Sequence, residues 1–132
     1  MKITLIILSA FFLISCSMFS KDTGEVISKP LTAVDSNRKV VLPQGHSFRI
    51  VLPSNPTTGY TWKAVVDNPK VVTVVSSKFD ADSSGRIGVG GETTWVLMTR
   101  NKGDATLSFS YQRSWEDDIP PTRVVEFLLS VR

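Results

Sequence analysis

From residue 40 onward the apolar positions recur in short runs with a period of two. In Thr106–Tyr111, Leu107, Phe109 and Tyr111 alternate with Thr106, Ser108 and Ser110. Such alternation places successive side chains on opposite faces of a strand, one face packed and one wet. The last run repeats it, with Val125, Phe127, Leu129 and Val131 on one side and Glu126 and Ser130 on the other. Between His46 and Leu52, Phe48, Ile50 and Leu52 alternate with Ser47, Arg49 and Val51. Further runs rich in β-branched and aromatic residues lie at Val40–Leu42, Tyr60–Val66, Val71–Ser76 and Thr93–Thr99. Pro, Gly, Asn and Asp punctuate the intervals, and no stretch sustains the 3.6-residue period of an amphipathic helix. About seven strands in a domain of about 100 residues predict an all-β fold, an immunoglobulin-like antiparallel β-sandwich. Trp62 and Trp95, each inside a strand, are expected in its core.

Composition sharpens this picture. The 132 residues, 42% hydrophobic and 20% charged, suit one domain with one core. Cys16 is the only cysteine, so no intrachain disulfide can form and packing alone must hold the sandwich. The formal charge of +3 is spread through strand-like segments without a basic cluster, which argues against nucleic acid as a partner. A monomer is expected.

The N-terminus is a separate unit. Met1 and Lys2 precede an apolar stretch from Ile3 to Ile14, followed by Ser15 and Cys16. At about twelve residues it has the length of a secretory h-region and is short of a membrane span. Leu13-Ile14-Ser15-Cys16 resembles the lipobox of bacterial lipoproteins. That resemblance implies a signal peptide over 1–15 and acyl chains on Cys16; the small polar residues that follow, without a sustained period, read as a tether to residue 29 ahead of a domain over 30–132. Ser17 after the cysteine resembles the outer-membrane sorting class, so the expected location is an anchored lipoprotein of a bacterial outer membrane, periplasmic or surface-facing.

Candidate chemistry is sparse. His46 is the one histidine and has no serine or acid at a spacing that forms a triad; it reads as a strand-edge polar residue. One His and one leader Cys cannot complete a zinc site. Asp80-Ala81-Asp82-Ser83-Ser84-Gly85 opens like a calcium loop, but Gly91 stands where the bidentate acid is due and Glu92 comes one place late. Gly88-Val89-Gly90-Gly91 lacks the helix N-terminus of a phosphate cradle. Glu116, Asp117 and Asp118 read as a solvated loop tip. No enzyme activity and no cofactor or metal are expected.

Three segments exceed hairpin length: Pro53–Gly59, Phe79–Gly91 and Arg113–Pro121. The first is stiff. Pro53 and Pro56 fix φ, Asn55 before Pro56 is pushed to extended backbone, Thr57 and Thr58 are restricted at χ1, and Gly59 can take φ > 0. A stiff loop loses little entropy on docking. Arg113 and Trp115 in the third segment are residue types enriched at interface hot spots.

Asn55-Pro56-Thr57-Thr58-Gly59-Tyr60, the glycine stretch Gly88–Gly91 leading to Thr94 and Trp95, and Arg113-Ser114-Trp115 resemble the three signature loops of the chagasin family of cysteine protease inhibitors. The resemblance spans residues 30 to 132. It implies reversible blockade of papain-type proteases. Asn55, Pro56, Thr57, Thr58, Gly59 and Tyr60 would lie over the protease's catalytic cysteine and histidine. Gly88, Gly90 and Gly91 on one side, and Arg113 and Trp115 on the other, would grip the cleft. Ser114 departs from the family's usual R-P-W and removes a source of stiffness from the third loop. The same sandwich could instead serve as a lipid-anchored envelope adhesion or ligand-binding module, since fold alone does not fix function.

Overall fold

Period-two alternation becomes seven strands in the computed structural model, which describes residues 28–86 and 88–132. They are β1 (Lys39–Leu42), β2 (Ser47–Ser54), β3 (Tyr60–Val66), β4 (Val72–Ala81), β5 (Gly91–Thr99), β6 (Gly103–Arg113) and β7 (Arg123–Val131). Two short 3-10 turns, Ala33–Asp35 and Pro56–Thr58, are the only helical elements among the described residues. The expected signal peptide and Cys16 lie outside the described residues.

The strands form two sheets, in the orders β1-β7-β6-β3 and β2-β5-β4. All pairs are antiparallel except β1 with β7, which runs parallel from Lys39↔Leu128 to Leu42↔Val131. The antiparallel sandwich expected from the sequence thus carries one parallel pair at the edge of its larger sheet. β1 and β7 are far apart in sequence, so no hairpin constrains their sense, and β1 lies beside the last strand before the chain crosses to the other sheet. The inward residues are those the alternation marked: Phe48, Ile50 and Leu52 from β2, Leu107 and Phe109 from β6, and Val125, Phe127, Leu129 and Val131 from β7, all buried. Trp95 joins them edge-on to Phe109, with ring centroids 4.8 Å apart.

Other expectations need correction. Trp62 is half-buried at the rim of the core, against Tyr111, because β3 is an edge strand with no neighbour to cover it. Ser130, expected to be wet, is buried. Its hydroxyl donates to Asp104 Oδ1 at 2.7 Å, and that bond, with help from Arg132, holds the Asp104 carboxyl below its ordinary pKa despite an opposing desolvation effect. β4 runs on past Ser76 through Phe79, Asp80 and Ala81, pairing with β5 beyond an irregularity between Val74 and Ser76. The second loop therefore begins at Asp82. β2 likewise includes Pro53 and Ser54; proline is tolerated there because β2 is an edge strand.

Candidate functional site

The strand directions bring three loops to one pole. β2 ends where β3 begins, β4 where β5 begins and β6 where β7 begins; because the registers run antiparallel with Ser54↔Gly91, Ala81↔Gly91 and Tyr60↔Arg113, all three connections emerge together. His46 sits at the other pole, its amide donating to Thr99 Oγ1 at 2.7 Å.

The first loop is a folded turn. Thr58 N–H donates to Asn55 O at 3.2 Å and Gly59 N–H to Pro56 O at 3.0 Å, closing a 3-10 turn with proline at its start, where φ is already set. Both threonine hydroxyls are committed inside it: Thr57 Oγ1 to Asn55 Oδ1, and Thr58 Oγ1 to Asn55 O at 2.7 Å. Gly59 ends the turn at φ 81°, ψ −5°, the left-handed region that glycine adopts at least cost. Pro56, Thr57 and Thr58 are exposed at the tip.

Each neighbouring loop is fastened to this one. Asn55 Nδ2 donates to Gly88 O at 3.2 Å, and Gly90 runs so close to the Ser54 carbonyl that a Cβ there would collide with it. Gly91 is not a loop residue; it opens β5. From the third loop the Trp115 indole lies against Gly59, where a Cβ would strike the ring. Trp115 nonetheless remains 66% exposed. Arg113 is turned inward: Nε donates to Thr58 O at 3.2 Å, Nη1 pairs with Glu116 Oε1 at 3.2 Å, and the guanidinium stands 4.5 Å from the Tyr60 ring centroid. Tyr60 is half-buried and stacked on Tyr111.

Two supports escaped sequence reasoning. Tyr111 Oη accepts the Asn55 N–H at 2.9 Å, and Trp62 Nε1 donates to Pro53 O at 2.9 Å. Both rings sit beneath the first loop, 4.7 Å apart. The signal available was position: an aromatic with a polar handle at the loop-proximal end of a strand finds a hydrogen-bond partner when it is partly buried.

Among the described residues no histidine or cysteine lies at these loops. Asp80 is in β4, 2.6 Å from Lys78 Nζ, and Asp82 Oδ1 accepts the Ser84 amide at 2.9 Å. Among the described residues no three His, Cys, Asp or Glu side chains are grouped to hold a metal. The site is a projecting, stiffened surface suited to contact.

Residues 41–131 match the family described as Chagasin family peptidase inhibitor I42. The chain belongs to the chagasin family. It is 30% identical over 86 residues to Amoebiasin-1 of Entamoeba histolytica, covering 64% of this chain and 82% of that protein. To Chagasin of Trypanosoma cruzi it is 28% identical over 94 residues, covering 67% and 84%. In fold it is similar to the cysteine protease inhibitor EhICP2 of Entamoeba histolytica, with TM-score 0.68 at 20% identity over 77% of this chain and 92% of that one. The three loops of this chagasin-family domain are the segments that carried the resemblance in sequence.

Proposed function

We propose that this chagasin-family protein is a reversible inhibitor of papain-family cysteine proteases, with its three-loop pole seated in the active-site cleft. One observation carries this reading: three loops with the family's motifs meet at one end and are tied to one another before any partner arrives. The Asn55–Tyr60 loop would lie over the catalytic cysteine and histidine, flanked by Gly88–Gly91 and by Trp115. Its turn explains why it would block rather than be cut. A substrate must present a carbonyl in line with the nucleophile, and the carbonyls of Asn55 and Pro56 are already engaged in a closed turn.

A standard interface of about 1,600 Å² with a preformed wedge supports nanomolar binding, about −12 kcal/mol. The test is titration of papain with a soluble chain beginning near Thr23. Stoichiometric, reversible loss of activity is expected; undiminished activity at micromolar chain rejects the reading.

The lipobox pattern supports a second element of the proposal: export, acylation at Cys16 and anchoring in a bacterial outer membrane. Two or more acyl chains give stable anchoring where one does not. Metabolic labelling with a palmitate analogue, lost in Cys16→Ala, is the expected result; labelling that survives the substitution rejects it.

A further inference from the structure

The third loop has no stiff residue of its own at the position that matters. Ser114 lies between Arg113, the last residue of β6, and Trp115, and its amide makes no backbone hydrogen bond among the described residues. Trp115 is 66% exposed, so packing alone holds it weakly. The contacts that tie this loop down converge on a single side chain. Arg113 donates from Nε to Thr58 O at 3.2 Å in the first loop and from Nη1 to Glu116 Oε1 at 3.2 Å in its own. Its guanidinium stands 4.5 Å from the Tyr60 centroid and 5.9 Å from that of Trp115. The Glu116 amide returns to Arg113 O at 3.2 Å, so the 113–116 turn is closed by backbone and side chain together. Arg113 and Glu116 side chains are only 35% and 24% exposed, whereas Asp117 and Asp118 are exposed.

We infer that Glu116 is a positioning residue for inhibition: it locks Arg113 across the first and third loops, and this clasp does for Trp115 what backbone rigidity at position 114 would otherwise do. The inference rests on the inhibitor reading above. The physical logic is that of preorganisation. A guanidinium's planar fork has fixed directions, so fastening one end to Glu116 fixes the end that reaches Thr58 O and the face that covers Tyr60. Released, the Arg113 and Trp115 side chains would have to be ordered at docking, which weakens binding by about tenfold. The pair lies at the loop pole, outside the buried core, so its loss should matter little to the fold.

The experiment compares papain inhibition and thermal unfolding for the parent and for Glu116→Gln, Asp117→Asn, Ser114→Pro and Glu116→Gln/Ser114→Pro. Glu116→Gln should dissociate from papain about tenfold faster, with the melting temperature and the association rate little changed. Asp117→Asn should match the parent. Proline at 114 suits an extended preceding residue and displaces no backbone hydrogen bond, so the double variant should regain most of the lost potency, which a merely structural role for Glu116 would not allow. In NMR of the free protein the Trp115 indole N–H should become more mobile in Glu116→Gln and recover in the double variant. A potent parent with an equally potent Glu116→Gln, or a double variant as weak as Glu116→Gln, overturns the clasp alone. A parent that leaves papain active overturns the inhibitor reading and this inference with it.

Discussion

Gly59 answers two demands at once, a backbone at φ 81° and room for the Trp115 indole. A β-branched residue meets neither. Gly59→Val should strain the turn by on the order of 1–3 kcal/mol and displace Trp115, weakening papain inhibition more than it lowers the melting temperature. Inhibition equal to the parent's would show that neither demand shapes the docking surface. Trp115 itself gives the complementary case. Exposed at 66%, it contributes little to the fold, so Trp115→Ala should leave stability nearly intact and cost about 2 kcal/mol or more of binding, roughly thirtyfold in inhibition constant. Asp82→Ala, which removes only the acceptor for the Ser84 amide, should leave inhibition nearly unchanged. Tyr111 acts from beneath. Tyr111→Phe keeps the ring stacks but leaves the Asn55 amide without its acceptor, costing about 1–3 kcal/mol, visible as a lower melting temperature.

Between elements the coupling runs through Asn55, whose side chain accepts from Thr57 within the first loop and donates to Gly88 O in the second. Asn55→Ala should uncouple the two loops at little cost to the core, with inhibition weakened several-fold, about 1 kcal/mol for the bonds lost; an unchanged inhibition constant would mean the loops dock independently. Where the strands lie was legible wherever a strand buries one face against the core: Phe48, Ile50 and Leu52, or Leu107 and Phe109, record burial as alternation. β4 past Ser76 was not legible, since every residue from Val75 to Ala81 is exposed and nothing in their order records a buried face. Only pairing with β5 makes that stretch a strand. The loops were visible through Pro56, Gly59 and Gly88, whose conformational limits are properties of single residues. The fastening among them was not, because Tyr111, Trp62 and Arg113 act through partners on other strands, and a one-dimensional pattern carries no distance across the sheet. Trp62 was placed in the core for the same reason: its alternation is right, but whether an edge strand is covered depends on topology.

At the scale of the molecule the direction in which the chain enters bears on how the loops are presented. Leu31 bridges Ile50 in the parallel sense, its amide donating to Arg49 O at 2.9 Å and its carbonyl accepting the Val51 amide at 2.9 Å. β2 runs toward the three-loop pole, so the chain passes Leu31 in the same sense, heading toward that pole. On the proposed anchoring at Cys16, this entry direction favours a domain held from behind, with the three-loop surface facing outward. The stretch from Cys16 to Ser28 sets an upper reach of about 40 Å between anchor and domain. The expected outcome is that full-length protein in proteoliposomes, oriented outward, inhibits papain as strongly per accessible molecule as the soluble chain beginning near Thr23. Holding the soluble chain beginning near Thr23, which lacks Cys16, to maleimide-lipid vesicles through Asp82→Cys at the three-loop pole should abolish inhibition, while the same variant free in solution inhibits like the parent. Potent inhibition from the vesicle-bound variant would mean that the loops need not face away from the membrane and that the entry direction has no functional consequence.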